Sequence, residues 1–233
     1  MAEEPATDHA RHYPDLVRAG SLRAALGTAL PPDTPDRHPD SVRAEAGERG
    51  VSVVAVAGER GFRVRCWART IHMAGGTTDD LAAAAGAVEQ WLRPGPVREL
   101  TDRWPFLTAG SLAEGYECGD PVPARWAQLR ASRIRLRHAD ELHAFIEAAH
   151  AEPRLRALSP GMSMFWVTFS RRAEPPLCRD LPMVGALGGG RYEIRHGAGR
   201  REVREAATLA ATLAAVLDLL PADAVPAPCP PMI

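Results

Sequence analysis

The sequence contains no lysine and no asparagine, so all 28 of its basic residues are arginine. Without lysine there is no Schiff-base amine, no P-loop lysine on a phosphate and no kinase-type strand lysine. Arginine stays protonated and is no general base near neutral pH, so proton transfer would fall to His, Asp, Glu, Cys or Tyr. Cysteine is sparse: Cys66, Cys118, Cys178 and Cys229 form no CxxC pair, which argues against a zinc knuckle or redox dithiol and for free thiols. An apolar run of about 20 residues, long enough to span a bilayer, is missing. The opening MAEEPATDHAR is acidic and polar rather than signal-like, so a cytoplasmic location is expected. A net charge of −1 gives no global pull toward nucleic acid or a membrane surface.

What is present is a core-forming chain, 45% apolar over 233 residues, enough for one large domain or two small ones. Pro14 to about Leu30 reads as a helix with Leu22, Leu26 and Leu30 on one side. Val51–Ala57 and Phe62–Arg69 read as strands of a hairpin around Gly58–Gly61. Alternation in the second strand puts Phe62, Val64, Cys66 and Ala68 on a core face and Arg63, Arg65, Trp67 and Arg69 on the other. Thr77 or Thr78 caps a helix to about Arg93, with Leu81, Ala85, Val88 and Leu92 as its stripe. Short helices follow at Val97–Arg103, Leu112–Cys118 and Ala124–Ala131, then a longer one over about Asp140–Ala151. Met162–Phe169 reads as one strand, Met183–Leu187 and Arg191–His196 as a pair around Gly188–Gly190, and Arg204–Leu220 as a last helix stopped by Pro221.

These elements predict an α+β fold: two short antiparallel β-meanders with helices packed on one face and a helical middle segment. Residues 14–220 are expected as a single domain, any sub-boundary lying near 132–160. A loose tail at 1–13 and a Pro-rich tail at 221–233 flank it.

Several residue groups carry chemistry, each beside a plainer reading. Arg63, Arg65 and Arg69 form a basic stripe with Trp67 among them, suited to holding a carboxylate or phosphate with stacking on the indole. The plainer alternative is a solvated sheet face. Arg130, Arg133, Arg135 and Arg137 form a second basic cluster. Glu114 and Glu117, one helical turn apart, suit acid and base roles, although Ser111-x-x-Glu114 also reads as a capping box. His196, at a strand end beside a Gly-rich turn, is the leading general-base candidate. His143, Glu147 and His150 share one helix face and form a weak metal candidate, read first as a solvated face, so no metal or other cofactor is assigned. Gly75-Gly76-Thr77-Thr78 before a helix resembles a phosphate loop, but Asp79 and Asp80 would repel a phosphate. Cys66 with His72 gives a nucleophile and base only on paper, because Cys66 falls on the apolar face.

The runs TDRWPFLTAGSLAEGYECG, VPARWAQLR, AEPRLRAL and GGGRYEIR, with a final helix ending LLP, resemble an actinobacterial family of unknown function broadly labelled "natural product biosynthesis protein". The resemblance covers most of the chain from about residue 60, and the arginine-only composition fits a GC-rich source. It implies an accessory or tailoring role near a biosynthetic cluster, with no established fold, cofactor or catalytic residue. Its LAExxE-like and Trp-containing segments match Leu112–Glu117 and Trp126. Two functional expectations follow. The first is a tailoring protein doing acid/base chemistry on a small acidic substrate with His196, Glu114 and Glu117. The alternative is a non-catalytic binding module for a carrier, a peptide precursor or a partner enzyme.

Overall fold

A computed structural model describes residues 11–132, 137–197, 199 and 201–230. The described chain divides into two compact units, one ending at Glu114 and the other beginning at Gly115. The stretch 132–160, where a sub-boundary was expected, falls inside the second. Each unit contains one five-stranded antiparallel sheet with helices, so the α+β expectation holds. No described helix is long and apolar enough to cross a membrane.

The first unit opens with helices α1 (Pro14–Ala19) and α2 (Leu22–Leu26). The single helix expected here is broken by Gly20, which sits at φ 88°, a backbone state open to glycine. Ser21 restarts the chain by accepting a hydrogen bond from the Ala24 amide at 3.1 Å, a serine N-cap. Leu22, Leu26 and Leu30 are all buried. Tyr13, the last residue of the expected tail, is buried too, and its hydroxyl accepts from the Gly61 amide at 2.9 Å.

Four strands then run as a meander: β1 (Ser41–Ala46), β2 (Arg49–Ala55), β3 (Phe62–Ala68) and β4 (Ile71–Thr78). After α3 (Leu81–Leu92) and α4 (Val97–Arg103), β5 (Leu107–Ala109) joins the β4 edge. The β3 alternation is as the sequence dictates: Phe62, Val64 and Cys66 are fully buried while Arg63 and Arg65 are exposed. Helix α3 packs on β2, β3 and β4, but its buried residues are Ala84, Ala87, Val88 and Trp91, not the expected stripe through Leu81 and Leu92. Small alanines let the helix approach, and the Trp91 indole N–H donates to the Gly50 carbonyl at 2.8 Å. Arg49 stacks its guanidinium 4.5 Å over the Trp91 ring and donates to the carbonyls of Trp91, Arg93 and Gly95, a cation at a helix C-terminus. The α3 cap is Asp80, which accepts from the Ala82 amide at 2.8 Å; Thr77 and Thr78 belong to β4.

The second unit holds α5 (Ala113–Glu117, which spans the division between units), α6 (Pro121–Ala131), α7 (Ala139–Ala151) and α8 (Pro153–Arg156). Its sheet runs β6 (Ser159–Ser163), β7 (Trp166–Ser170), β8 (Met183–Gly188), β9 (Arg191–His196) and β10 (Glu202–Ala206), followed by α9 (Leu209–Leu219). The strand expected at Met162–Phe169 is two strands reversing at Met164, whose φ is 56°. The last helix starts at Leu209, because Glu202–Ala206 pairs with β9 instead. Leu142, Phe145, Ile146 and Ala149 are buried, together with Trp126, Val167, Phe169, Val184 and Ile194. The Pro-rich tail is tied down: Ala227 N–H donates to the Arg171 carbonyl at 2.7 Å, the Arg171 guanidinium reaches Asp223 at 3.4 Å, and the Cys229 thiol lies 3.3 Å from the Glu174 carboxylate.

Candidate anion-binding site

Helices and core lie on one side of the first sheet, and the pairing register fixes what lies on the other. Across β1 to β4, one outward row reads Ser41, Val54, Arg63, Thr77. The next reads Arg43, Ser52, Arg65, Gly75, then Thr108 on β5. A third reads Glu45, Gly50, Trp67, His72. Arg63 and Arg65 therefore project from one strand about 7 Å apart.

The cations of this unit differ in their company. Arg43 pairs with Glu45 at 2.9 Å, Arg60 with Asp15 at 2.7 Å and Arg69 with Glu48 at 3.0 Å. Arg69 adopts φ 53° in the turn after β3, so the expected three-arginine stripe is two arginines and a turn residue. Among the described residues, Arg63 and Arg65 face no carboxylate within ion-pairing distance. Their mutual repulsion, on the order of 0.6 kcal/mol in water at this spacing, is relieved by no carboxylate among the described residues.

Beside them lies a trough of about 370 Å³ lined by Arg63, Arg65, His72, Gly75, Gly76, Thr77 and Thr108. A Cβ on Gly75 would sit 2.9 Å from His72 Nε2, and one on Gly110 would sit 3.1 Å from His72 Nδ1, so the imidazole is seated between two residues without side chains. A Cβ on Gly76 would meet the Phe106 carbonyl oxygen at 1.8 Å, so only glycine lets that turn close against β4. Gly75 and Gly76 pair on both sides within the sheet and form a strand rather than a loop before a helix. Trp67 is engaged: its ring covers Gly50, whose added Cβ would lie 2.3 Å away, and Arg43 stacks over it at 4.5 Å.

The other sequence candidates are dispersed. Cys66 points into the core and His72 outward, so they lie on opposite faces; burial pushes the Cys66 thiol up to about 12. His196 is buried at the end of β9, with Nδ1 3.5 Å from the Glu202 carboxylate on β10. Glu114 is exposed and Glu117 half-buried on five-residue α5. Between them Tyr116 is buried, donating to the Ala173 carbonyl at 2.6 Å and accepting from Arg125 at 2.8 Å. That packing accounts for Tyr116 within the AEGYE segment; Trp126 likewise donates its indole N–H to the Arg156 and Leu158 carbonyls.

Of the metal candidates, Glu147 is held by Arg130 through both carboxylate oxygens, which keeps its carboxyl below the usual range, and His150 lies against the Trp126 ring at 5.2 Å. Arg130 is thus occupied, Arg137 is exposed, and Arg133 and Arg135 lie outside the described residues. Sequence reasoning passed over His72 as a neighbour of Arg65, Thr77 and Thr108. The signal for it was the paired glycines, which read as a loop before a helix rather than as a strand.

Residues 120–229 match the model of a family of unknown function (DUF6193). This stretch lies within the second unit and contains none of the trough residues. No curated protein and no solved structure matches the chain.

Proposed function

We propose that this chain binds a small acidic ligand on the open face of its first sheet. The observation that carries the reading is the pair Arg63 and Arg65, exposed on one strand, facing no acid among the described residues and bordering a trough with His72 and two threonine hydroxyls. Guanidinium forks match a carboxylate in two parallel hydrogen bonds, and the threonines can donate as well. The trough contains no carboxylate to serve as acid or base, which favours binding over catalysis. A helix N-terminus or a nest of free amides, the usual phosphate cradle, is absent from it, since Gly75 and Gly76 are paired within the sheet. A carboxylate is therefore the better fit. With the resemblance to proteins of natural product biosynthesis, we place this binding in an accessory role there, on an acidic intermediate.

The test is an NMR titration of the intact chain with acetate at low salt. Shifts should concentrate on β3 and β4 and weaken as salt rises. Arg63→Ala/Arg65→Ala should weaken binding about tenfold or more. Equal binding by that variant would remove the reading.

A further inference from the structure

The two edges of the second sheet differ. Strand β6 carries Pro160 and is packed by α6, ordinary protection for a sheet edge. Strand β10 has no proline and pairs with β9 along Glu202–Ala206 without a bulge. Although α9 touches it, every side chain from Glu202 to Glu205 is exposed, Val203 to 55%. Among the described residues no strand lies on its other side. The backbone donors and acceptors along such an edge are a template for another strand.

The charges on this edge are ordered. Residues 201–205 read Arg, Glu, Val, Arg, Glu. Charged side chains often blunt an edge, but residues directly opposite in an antiparallel pair share a face and interact. Laid antiparallel on itself about Val203, this segment sets Arg201 against Glu205, Glu202 against Arg204 and Val203 against Val203. Every charge then meets its opposite. Moving the axis to Glu202 or Arg204 sets like charges face to face. Within the chain these groups are loosely held: Arg204 reaches Asp218 at 3.7 Å and Glu205 reaches Arg191 at 4.0 Å, all four exposed. Exposed pairs of this kind contribute little. We infer that β10 docks on β10 of a second copy of this chain, antiparallel and centred on Val203, and joins two five-stranded sheets edge to edge. A contact built on a five-residue strand is small, so the dimer is weak and its charges decide it. It is independent of the anion site.

The experiment is sedimentation velocity on the intact chain from low to high micromolar concentration, on the variants Glu202→Arg and Arg204→Glu, and on an equimolar mixture of the two. The unaltered chain should pass from monomer to dimer as concentration rises, and less readily as salt screens the pairs. Each single reversal turns two attractive contacts repulsive and should weaken the dimer about tenfold or more. Mixing the two variants should restore it, since each altered strand then faces one whose charges complement its own; that recovery also reports that both variants are folded. A chain that stays monomeric throughout, a dimer indifferent to either reversal, or no recovery in the mixture would overturn the docking.

Discussion

Both sheets use one device on their outward faces, and they differ in what surrounds it. In the first unit Trp67 on β3 lies across Gly50 on β2 and is roofed by Arg43 on β1 at 4.5 Å, with Glu45 pairing that arginine. In the second, Trp166 on β7 lies across Gly185 on β8 and is roofed by Arg195 on β9 at 4.5 Å, with Glu193 pairing that arginine at 2.6 Å. A tryptophan needs a bare strand beneath it, and glycine supplies one; the arginine covers the indole and the glutamate holds the arginine. Recurrence in two sheets marks the stack as architecture, which accounts for Trp67 without a ligand. The faces part company beyond it. On the second sheet Arg191 reaches Glu205 at 4.0 Å. On the first, Arg63 and Arg65 have no such balance among the described residues. Among the described residues, the outward arginines Arg191 and Arg195 of the second sheet are paired with acids whereas Arg63 and Arg65 of the first are not, and the trough lies beside the unpaired two.

That comparison can be broken at its base by testing which way β3 faces. Phe62→Ala should cost about 3–5 kcal/mol as a large core truncation, whereas Arg63→Ala next door should stay within about 0.5 kcal/mol. Urea denaturation of both variants reads this directly, and similar losses at the two positions would undo the face assignment.

The stacks themselves can be compared by adding one methyl under each ring. Gly50→Ala would place a Cβ 2.3 Å from the Trp67 ring, and Gly185→Ala one 2.9 Å from that of Trp166. Overpacking of this kind costs about 1–3 kcal/mol, and the Gly50 variant should be the worse of the two. Reversed order in thermal melts would show that the first tryptophan is free to move aside.

The smallest expected effect distinguishes an arginine with an acid from those without. Arg60 donates to Asp15 at 3.0 and 2.7 Å and so holds that carboxyl below its ordinary value. The unfolded chain then binds this proton more tightly than the folded one. The contribution is complete above about pH 4, the unfolded value, and is lost as pH falls through the lower folded value. Asp15→Asn should flatten that part of the acid-side loss of stability, read as the urea midpoint from about pH 6 down to about pH 3. An unchanged acid slope would show that the pair contributes nothing; Arg63→Ala should leave the slope as it is.

Much of the fold was legible because period-two burial is a strong local signal. The Phe62–Ala68 alternation, the Gly188–Gly190 reversal, all three glycines at positive φ, and the α7 stripe were all readable. The misses share a cause: local preference was overruled by pairing. Gly75 and Gly76 read as a loop before a helix, yet they sit inside β4, where Gly76 admits the Phe106 carbonyl. Arg204–Ala206 read as the start of a helix, but Glu202–Ala206 found an edge to pair with on β9. Of the site, the arginines were legible from alternation alone. His72, Thr77 and Thr108 were not, since only the register of β4 and β5 brings them to Arg65.

The most direct measurement is a crystal structure of the intact chain grown with acetate. The account predicts a carboxylate bonded to Arg63 and Arg65 in the trough beside His72. Acetate bound elsewhere, with both guanidinium groups bare, would contradict it.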